Sequence, residues 1–207
     1  MHTLFSNAKK TRVALGAGLA LMVATVLPGC TNAQMQGQSS SYLIIDMMQA
    51  ASGATPSTFV GSLASDVLTK NSVFSDPGQV TLRLALKDPG SINAPAQPTT
   101  ANFITVTRYH VRYLRSDGRN TQGSDVPFEF DGAATATVGP GGVVMPFTLV
   151  RAQAKVESPL SALVNGGGTQ FISTVAEVTL YGKDQNGREV MVTGTIGVNF
   201  ADWADPS

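Results

Sequence analysis

Cysteine and histidine are almost missing from this chain: its 207 residues include one cysteine and two histidines. A single cysteine excludes an intrachain disulfide framework, since a bridge needs two. Ordinary zinc and haem sites draw on clusters of Cys and His, and no such cluster can be assembled here. Charge is scarce as well. Only 14% of residues are charged, their formal sum is zero, and no run of like charge marks an interaction tail. Helix-favouring Glu and Lys are sparse while Val, Thr and Gly are plentiful, which favours strands joined by glycine turns. Apolar residues make up 43% of the chain, enough to bury a core.

Long apolar runs are absent too, with one exception near the start. Lys9, Lys10 and Arg12 precede the 15-residue stretch Val13 to Leu27. That length suits the apolar region of a signal peptide and falls short of the ~20 residues a membrane-spanning helix needs. Pro28-Gly29 then stops the helix, because proline turns the residue before it towards an extended conformation. The next residue is Cys30, the chain's one cysteine. The segment Leu27-Pro28-Gly29-Cys30 resembles the lipobox of bacterial lipoproteins, departing from it only in having Pro28 where Ala or Ser is commoner. The resemblance implies cleavage between Gly29 and Cys30, diacylglycerol on the Cys30 thiol, and a further fatty acyl group such as palmitate on the new amine. Two or three chains make such anchoring effectively permanent, since each buried CH₂ contributes ~0.8 kcal/mol. An ordinary secretory leader cut nearby, for instance after Ala33, is the competing reading of the same residues. Thr31 stands where an Asp would mark retention in an inner membrane, so the resemblance points to the outer membrane of the cell envelope.

Removing residues 1–29 leaves 11 basic residues against 14 acidic ones, a formal charge of −3. A mildly acidic mature chain lacks the concentrated positive charge that nonspecific nucleic-acid binding requires. Residues 30–41 are polar and uncharged, and read as a flexible tether. Residues 42–207 then form one domain. Tyr42 to Met48 reads as a first strand. Val80 to Lys87 alternates strictly, with Val80, Leu82, Leu84 and Leu86 on one side. Ile104 to Arg115 is a longer strand that places Tyr109, Val111 and Tyr113 together. Ile172, Ala176, Val178 and Leu180 line another strand, the turn Asp184-Gln-Asn-Gly187 follows, and Val190, Val192, Ile196, Val198 and Phe200 line its partner, a strong hairpin signal. Asp117-Gly118 marks a second turn, and Thr55-Pro56 and Ser158-Pro159 open short helical turns. About seven strands with Gly/Pro turns predict an all-β, antiparallel sandwich, immunoglobulin-like or fibronectin-III-like in outline. The Cys…Trp…Cys hallmark of the immunoglobulin core is missing. Trp203, the one tryptophan, is expected over one end of the sandwich.

Groups for chemistry are few. Beyond the leader the one histidine is His110, placed between Arg108 and Arg112, whose charges would oppose the imidazolium of a Ser-His-Asp mechanism. No Gly-x-Ser-x-Gly elbow occurs, so the chain reads as non-enzymatic with no cofactor. Asp125, Glu129 and Asp131 form a local acidic group, and Asp184, Asn186 and Glu189 imitate part of a calcium loop. A solvated strand face and a hairpin turn account for them better, and no metal site is assigned. The glycine runs Gly139-Pro-Gly-Gly142 and Gly166-Gly-Gly168 lack the lysine of a phosphate loop and read as turns. Arg108, His110 and Arg112, at alternate positions, project from one face of the long strand and could bind a small anion, a glycan or an acidic partner. The alternative is an exposed face of cross-strand ion pairs, with Glu177 the natural partner. The expected function is therefore a lipid-anchored envelope protein with a structural or protein-binding β body. Its expected partners are the bilayer, through Cys30, and an envelope protein.

Overall fold

The computed structural model describes residues 38–203. The leader, the Gly29–Cys30 cleavage position and the tether through residue 37 lie outside the described residues. The chain forms β1 (Ser41–Ala50), β2 (Ser62–Asp66), β3 (Asp76–Leu86), the short β4 (Gly90–Ser91) and β5 (Ala94–Pro95), β6 (Ile104–Leu114), β7 (Phe130–Val138) and β8 (Val143–Val150). After these come a five-residue helix α1 (Ala152–Val156), β9 (Ile172–Asp184) and β10 (Glu189–Ala201). One sheet has the order β1-β3-β8, a second β2-β10-β9-β6-β7, and β4 pairs with β5 in a small hairpin. The all-β class expected from the composition holds.

The alternating segments behave as their periodicity requires. Along β3, Val80, Leu82 and Leu84 are buried, and along β9 so are Ile172, Ala176, Val178 and Leu180. β9 and β10 pair antiparallel from Lys183–Glu189 to Ile172–Phe200, closed by a turn in which the Gly187 N–H donates to the Asp184 carbonyl. Buried residues of both large sheets belong to one apolar cluster.

Three expectations need correction. The pairing is not wholly antiparallel, for β2 runs parallel to β10, with Ser62 beside Gly197 and Asp66 beside Ala201. These strands are far apart in sequence, so no hairpin fixes their relative direction. The folded body begins inside the segment expected to be tether: Ser39 and Ser41 are buried, and the Ser41 hydroxyl donates to the Asn102 carbonyl at 2.7 Å. Thr55-Pro56 makes a single hydrogen-bonded turn, Thr58 N–H to Thr55 carbonyl, rather than a helical one. At Ser158-Pro159 the helical turn is present as a short 3-10 segment, Leu160–Leu163. Trp203 packs against Gly168, in the loop before β9, and its backbone N–H donates to Asp66.

Two features join the parts. Tyr109 and Tyr113 of β6 reach across to β8 in the other sheet. The Tyr109 hydroxyl accepts from the Thr148 N–H at 3.1 Å, and the Tyr113 hydroxyl donates to the Leu149 carbonyl at 2.6 Å. Tyr109 packs edge-on to Phe147 and Phe130, an arrangement favoured by the ring quadrupole. Its ring lies over Gly132 of β7, where a β-carbon would come within 2.2 Å of it. The second feature is the carboxylate of Asp76, fully buried at the start of β3. It accepts from the Gly53 N–H at 2.8 Å, from the Ser65 hydroxyl of β2 at 2.6 Å and from Lys155 Nζ of α1 at 2.9 Å. Lys155 is 1% exposed, so its ammonium has protein ligands in place of water.

Removing one partner of a buried ion pair strands the other charge. Lys155→Met is expected to lower stability by about 3–5 kcal/mol, read as a fall in urea midpoint at unchanged slope. Burial, with the Asp76 carboxylate adding to it, pushes the Tyr113 hydroxyl far above its ordinary value. Because the folded value is raised, the stability it confers is present below the unfolded tyrosine range and is lost as pH rises above about 10. Tyr113→Phe is expected to cost about 1–3 kcal/mol at neutral pH and to flatten the alkaline unfolding curve; an equally steep curve would contradict this placement.

Candidate functional site

β6 carries an irregularity that decides what its outer face displays. Ile104 and Val106 are buried, and so are Tyr109, Val111 and Tyr113. The inward parity switches between the two groups, and the register with both β7 and β9 shifts between Val106 and Arg108. This is a β-bulge: an extra residue turns Thr107 and Arg108 outward in succession, which re-aims a side chain without breaking the strand. Across from the bulge on β9 is Gly182, paired with Val106. A β-carbon there would sit 2.6 Å from the Thr105 carbonyl oxygen, so the close approach of the two backbones requires glycine.

Beyond the bulge the expected stripe is present, and each member has an acidic neighbour. Arg108 Nη1 donates to Asp131 at 2.6 Å, and its guanidinium stacks 3.9 Å from the centre of the Tyr181 ring. His110 lies 3.5 Å from Glu129 and 3.4 Å from Asp131. Arg112 pairs with Glu177, its partner in the β6–β9 register, at 2.5 Å, and this hydrogen bond raises the guanidinium above its ordinary value. Arg108 and Arg112 thus each face a carboxylate, and His110 lies beside two. The groups that flank His110 are the carboxylates Glu129 and Asp131, contrary to the expectation that Arg108 and Arg112 would oppose an imidazolium: Arg108 turns to Asp131 and Arg112 to Glu177.

The remaining sequence candidates are drawn apart. Asp125 accepts from the Thr121 N–H in a loop, while Glu129 and Asp131 flank His110. Among the described residues no group of three or more His, Cys, Asp or Glu is placed to hold a metal ion. Asp184 Oδ1 accepts from the Asn186 and Arg188 N–H groups, which makes it the organiser of the hairpin turn, while Glu189 faces Lys183 across the β9–β10 pair. Gly139–Gly142 forms the β7–β8 turn, with Gly142 at φ +71°. In the loop after β6, hydrogen bonds from Arg115, then Arg119, hold the Asp117 carboxyl well below the usual carboxylate range.

Arg108 opens on a cavity. This hollow of about 450 Å³ is lined by Tyr42, Lys87, Arg108, Tyr181, Lys183 and Met191 among others. A second hollow of about 470 Å³ shares Tyr42 and Lys87 and extends to Pro89 and Pro98. Apart from Arg108 none of these residues stands out in the sequence as a site. The signal that leads to them is the parity switch itself, since apolar 104 and 106 followed by apolar 109, 111 and 113 demand one extra residue between.

No family model matches the chain, and no curated protein matches it. Among solved structures it is similar to one described as the X-ray structure of Northeast Structural Genomics Consortium target SoR45. The identity is 11% and the TM-score 0.34, with 78% of this chain and 86% of that one covered.

The exposed pair Arg112–Glu177 should matter little to stability. Arg112→Ala is expected to change it by about 0–1 kcal/mol, whereas Gly182→Ala forces the bulge apart and should cost about 1–3 kcal/mol as an overpacked contact. Parallel thermal melts of the two variants check the contrast, and equal melting points would refute it.

Proposed function

We propose that this chain is a lipid-anchored cell-envelope protein whose β body is a non-enzymatic structural or protein-binding module. The body's two sheets around one core are read as a sandwich of immunoglobulin or fibronectin-III outline, modified by the parallel β2–β10 pair. The observation that carries the anchor is the order of the sequence: a basic segment, a 15-residue apolar run, Leu27-Pro28-Gly29-Cys30, and a folded body in which Ser39 is already buried. Eight residues separate Cys30 from Ser39, which spans at most about 30 Å fully extended. The body therefore works close to a membrane surface, and Thr31 after the cysteine favours the outer membrane.

A protein contact is supported by the outward side of the three-stranded sheet. Met47 and Val144 lie opposite Thr81 on either side of it, and both side chains are about half exposed, at 50% and 56%. Apolar residues aligned across a sheet whose two outer strands are β1 and β8 present a surface a partner could cover. A second reading, binding of a small anion or glycan, gains support from Arg108, which lines a hollow while paired with Asp131.

Mass spectrometry of the chain isolated from detergent-solubilised envelope tests the anchor. The expected N-terminal peptide begins at Cys30 and carries thioether-linked diacylglycerol, and Cys30→Ala is expected to move the protein from the membrane to the soluble fraction. A start at another residue, such as one after Ala33, or a free thiol at Cys30 would end the proposal.

A further inference from the structure

Ile92 stands in the turn of the β4–β5 hairpin and is 98% exposed. A lone apolar side chain on a surface needs no explanation, but this one is held out by a built support. Gly90 pairs with Pro95 and Ser91 with Ala94, which leaves Ile92 and Asn93 as the two-residue turn. At the base the Ala96 N–H donates to the Pro89 carbonyl at 2.9 Å, and Asp88 Oδ1 accepts from the Gly90 N–H at 2.9 Å. Gly90 has φ +76°, and a β-carbon there would come within 2.5 Å of the Ala94 carbonyl oxygen, so the hairpin closes only on glycine. From Pro89 to Thr107 the chain carries no charge, and Pro89, Pro95 and Pro98 have no N–H to strip of water.

The segment that bears the hairpin is tied at both ends to the place where the chain enters the body. The Lys87 N–H donates to the Ser40 carbonyl at 2.9 Å. Asn102 Nδ2 donates to the Ser40 hydroxyl at 2.8 Å, and the Asn102 carbonyl accepts from the Ser41 hydroxyl at 2.7 Å. Ile92 follows Lys87 by five residues, so it reaches at most about 17 Å from that point. The chain from Cys30 to Ser39 reaches up to about 30 Å. A surface that holds Cys30 is therefore within range of the hairpin tip.

We propose that Ile92 enters the lipid bilayer beside the anchor, at the boundary of headgroups and acyl chains, so that the body is held at two points. The proposal rests on the lipid anchor at Cys30 and goes beyond it: acyl chains on a tether leave the body free to turn, and a second contact sets its orientation. One isoleucine favours the contact by only about ten- to a hundredfold, too little to recruit a protein from solution. Once the anchor keeps the hairpin near the surface the second contact is intramolecular, and that preference suffices. A protein partner fits less well. A protein interface buries many side chains around aromatic or Arg anchors, whereas this tip presents one aliphatic residue on a narrow hairpin.

The lipidated full chain on vesicles of phosphatidylethanolamine and phosphatidylglycerol provides the test, with acyl-brominated lipid as a fluorescence quencher. Trp203 is the one tryptophan, and the parent is expected to be quenched little. Ile92→Trp is expected to add fluorescence that brominated lipid largely removes. Phe171→Trp serves as the control: Phe171 is 61% exposed and precedes β9, whose other end, Asp184, pairs with Ile104. Its added fluorescence is expected to persist. Hydrogen exchange reads the native side chain. On vesicles the amides of residues 91–94 are expected to exchange about tenfold or more slowly in the parent than in Ile92→Asp, with the rest of the body alike. Equal quenching of Ile92→Trp and Phe171→Trp, or equal exchange of the hairpin in parent and Ile92→Asp, would overturn the proposal. Protection seen in native envelope fragments and not on pure lipid would overturn it too, since a protein would then be the cover. The N-terminal mass of the same sample separates the two readings: absence of lipid at Cys30 ends both, whereas a lipidated chain with an unquenched hairpin ends this one alone.

Discussion

One extra residue in β6 sets the terms for everything around it. A strand's faces alternate strictly, so a strand that must turn Ile104 and Val106 inward and also Tyr109, Val111 and Tyr113 inward cannot be regular. The bulge at Thr107 resolves the conflict, and three consequences follow. The two tyrosines point at β8 and tie the sheets together. Arg108 leaves the inward-outward rhythm and stands over Tyr181 at the mouth of a hollow. Gly182 is fixed as glycine because the backbones converge there. Core, cross-sheet bonding and candidate site therefore share one local cause.

A second constraint operates at the start of β3. The Asp76 carboxylate collects the loop after β1, β2, β3 and α1 through a backbone N–H, a hydroxyl and a buried ammonium. Such a cluster adds little net stability relative to an apolar filling of the same shape, yet it tolerates no partial removal. Its effect is to specify where α1 and β2 go. These are the elements whose own sequences say least, since one is five residues long and the other short and placed beside a strand more than a hundred residues away.

Legibility in the sequence followed the physics of each segment. β3, β9 and β10 could be read because one buried and one wet face write a period of two into the chain, and the Asp184–Gly187 turn because Asn-Gly suits it. β2 could not, for Ser62–Asp66 has too few apolar residues to show a period and gains its place from β10. The parallel pairing was equally hidden, since direction between distant strands depends on the route of the chain. The burial of Ser39 and Ser41 was missed because it rests on hydrogen bonds and not on apolar content. Of the candidate site, Arg108, His110 and Arg112 were legible as a stripe, and Glu177 as a partner. The hollow was not, because Tyr42, Lys87 and the Tyr181–Lys183 stretch of β9 come from three separate segments and meet only once the sheets are assembled.

The central claim is that the bulge is what allows β6 to serve core and site together, and deletion of Thr107 tests it most directly. Removing the extra residue restores strict alternation, so Ile104, Val106, Tyr109, Val111 and Tyr113 all keep facing inward. Deletion of His110 instead breaks the alternation beyond the bulge, at about 1.5–3 kcal/mol for each large apolar side chain exposed. Urea unfolding with near-ultraviolet circular dichroism of the tyrosines should show a midpoint and spectrum close to the parent's for the Thr107 deletion and a sharply lower midpoint for the His110 deletion. A Thr107 deletion as damaging as the His110 deletion would mean that Thr107 is not the extra residue, and the account would be wrong.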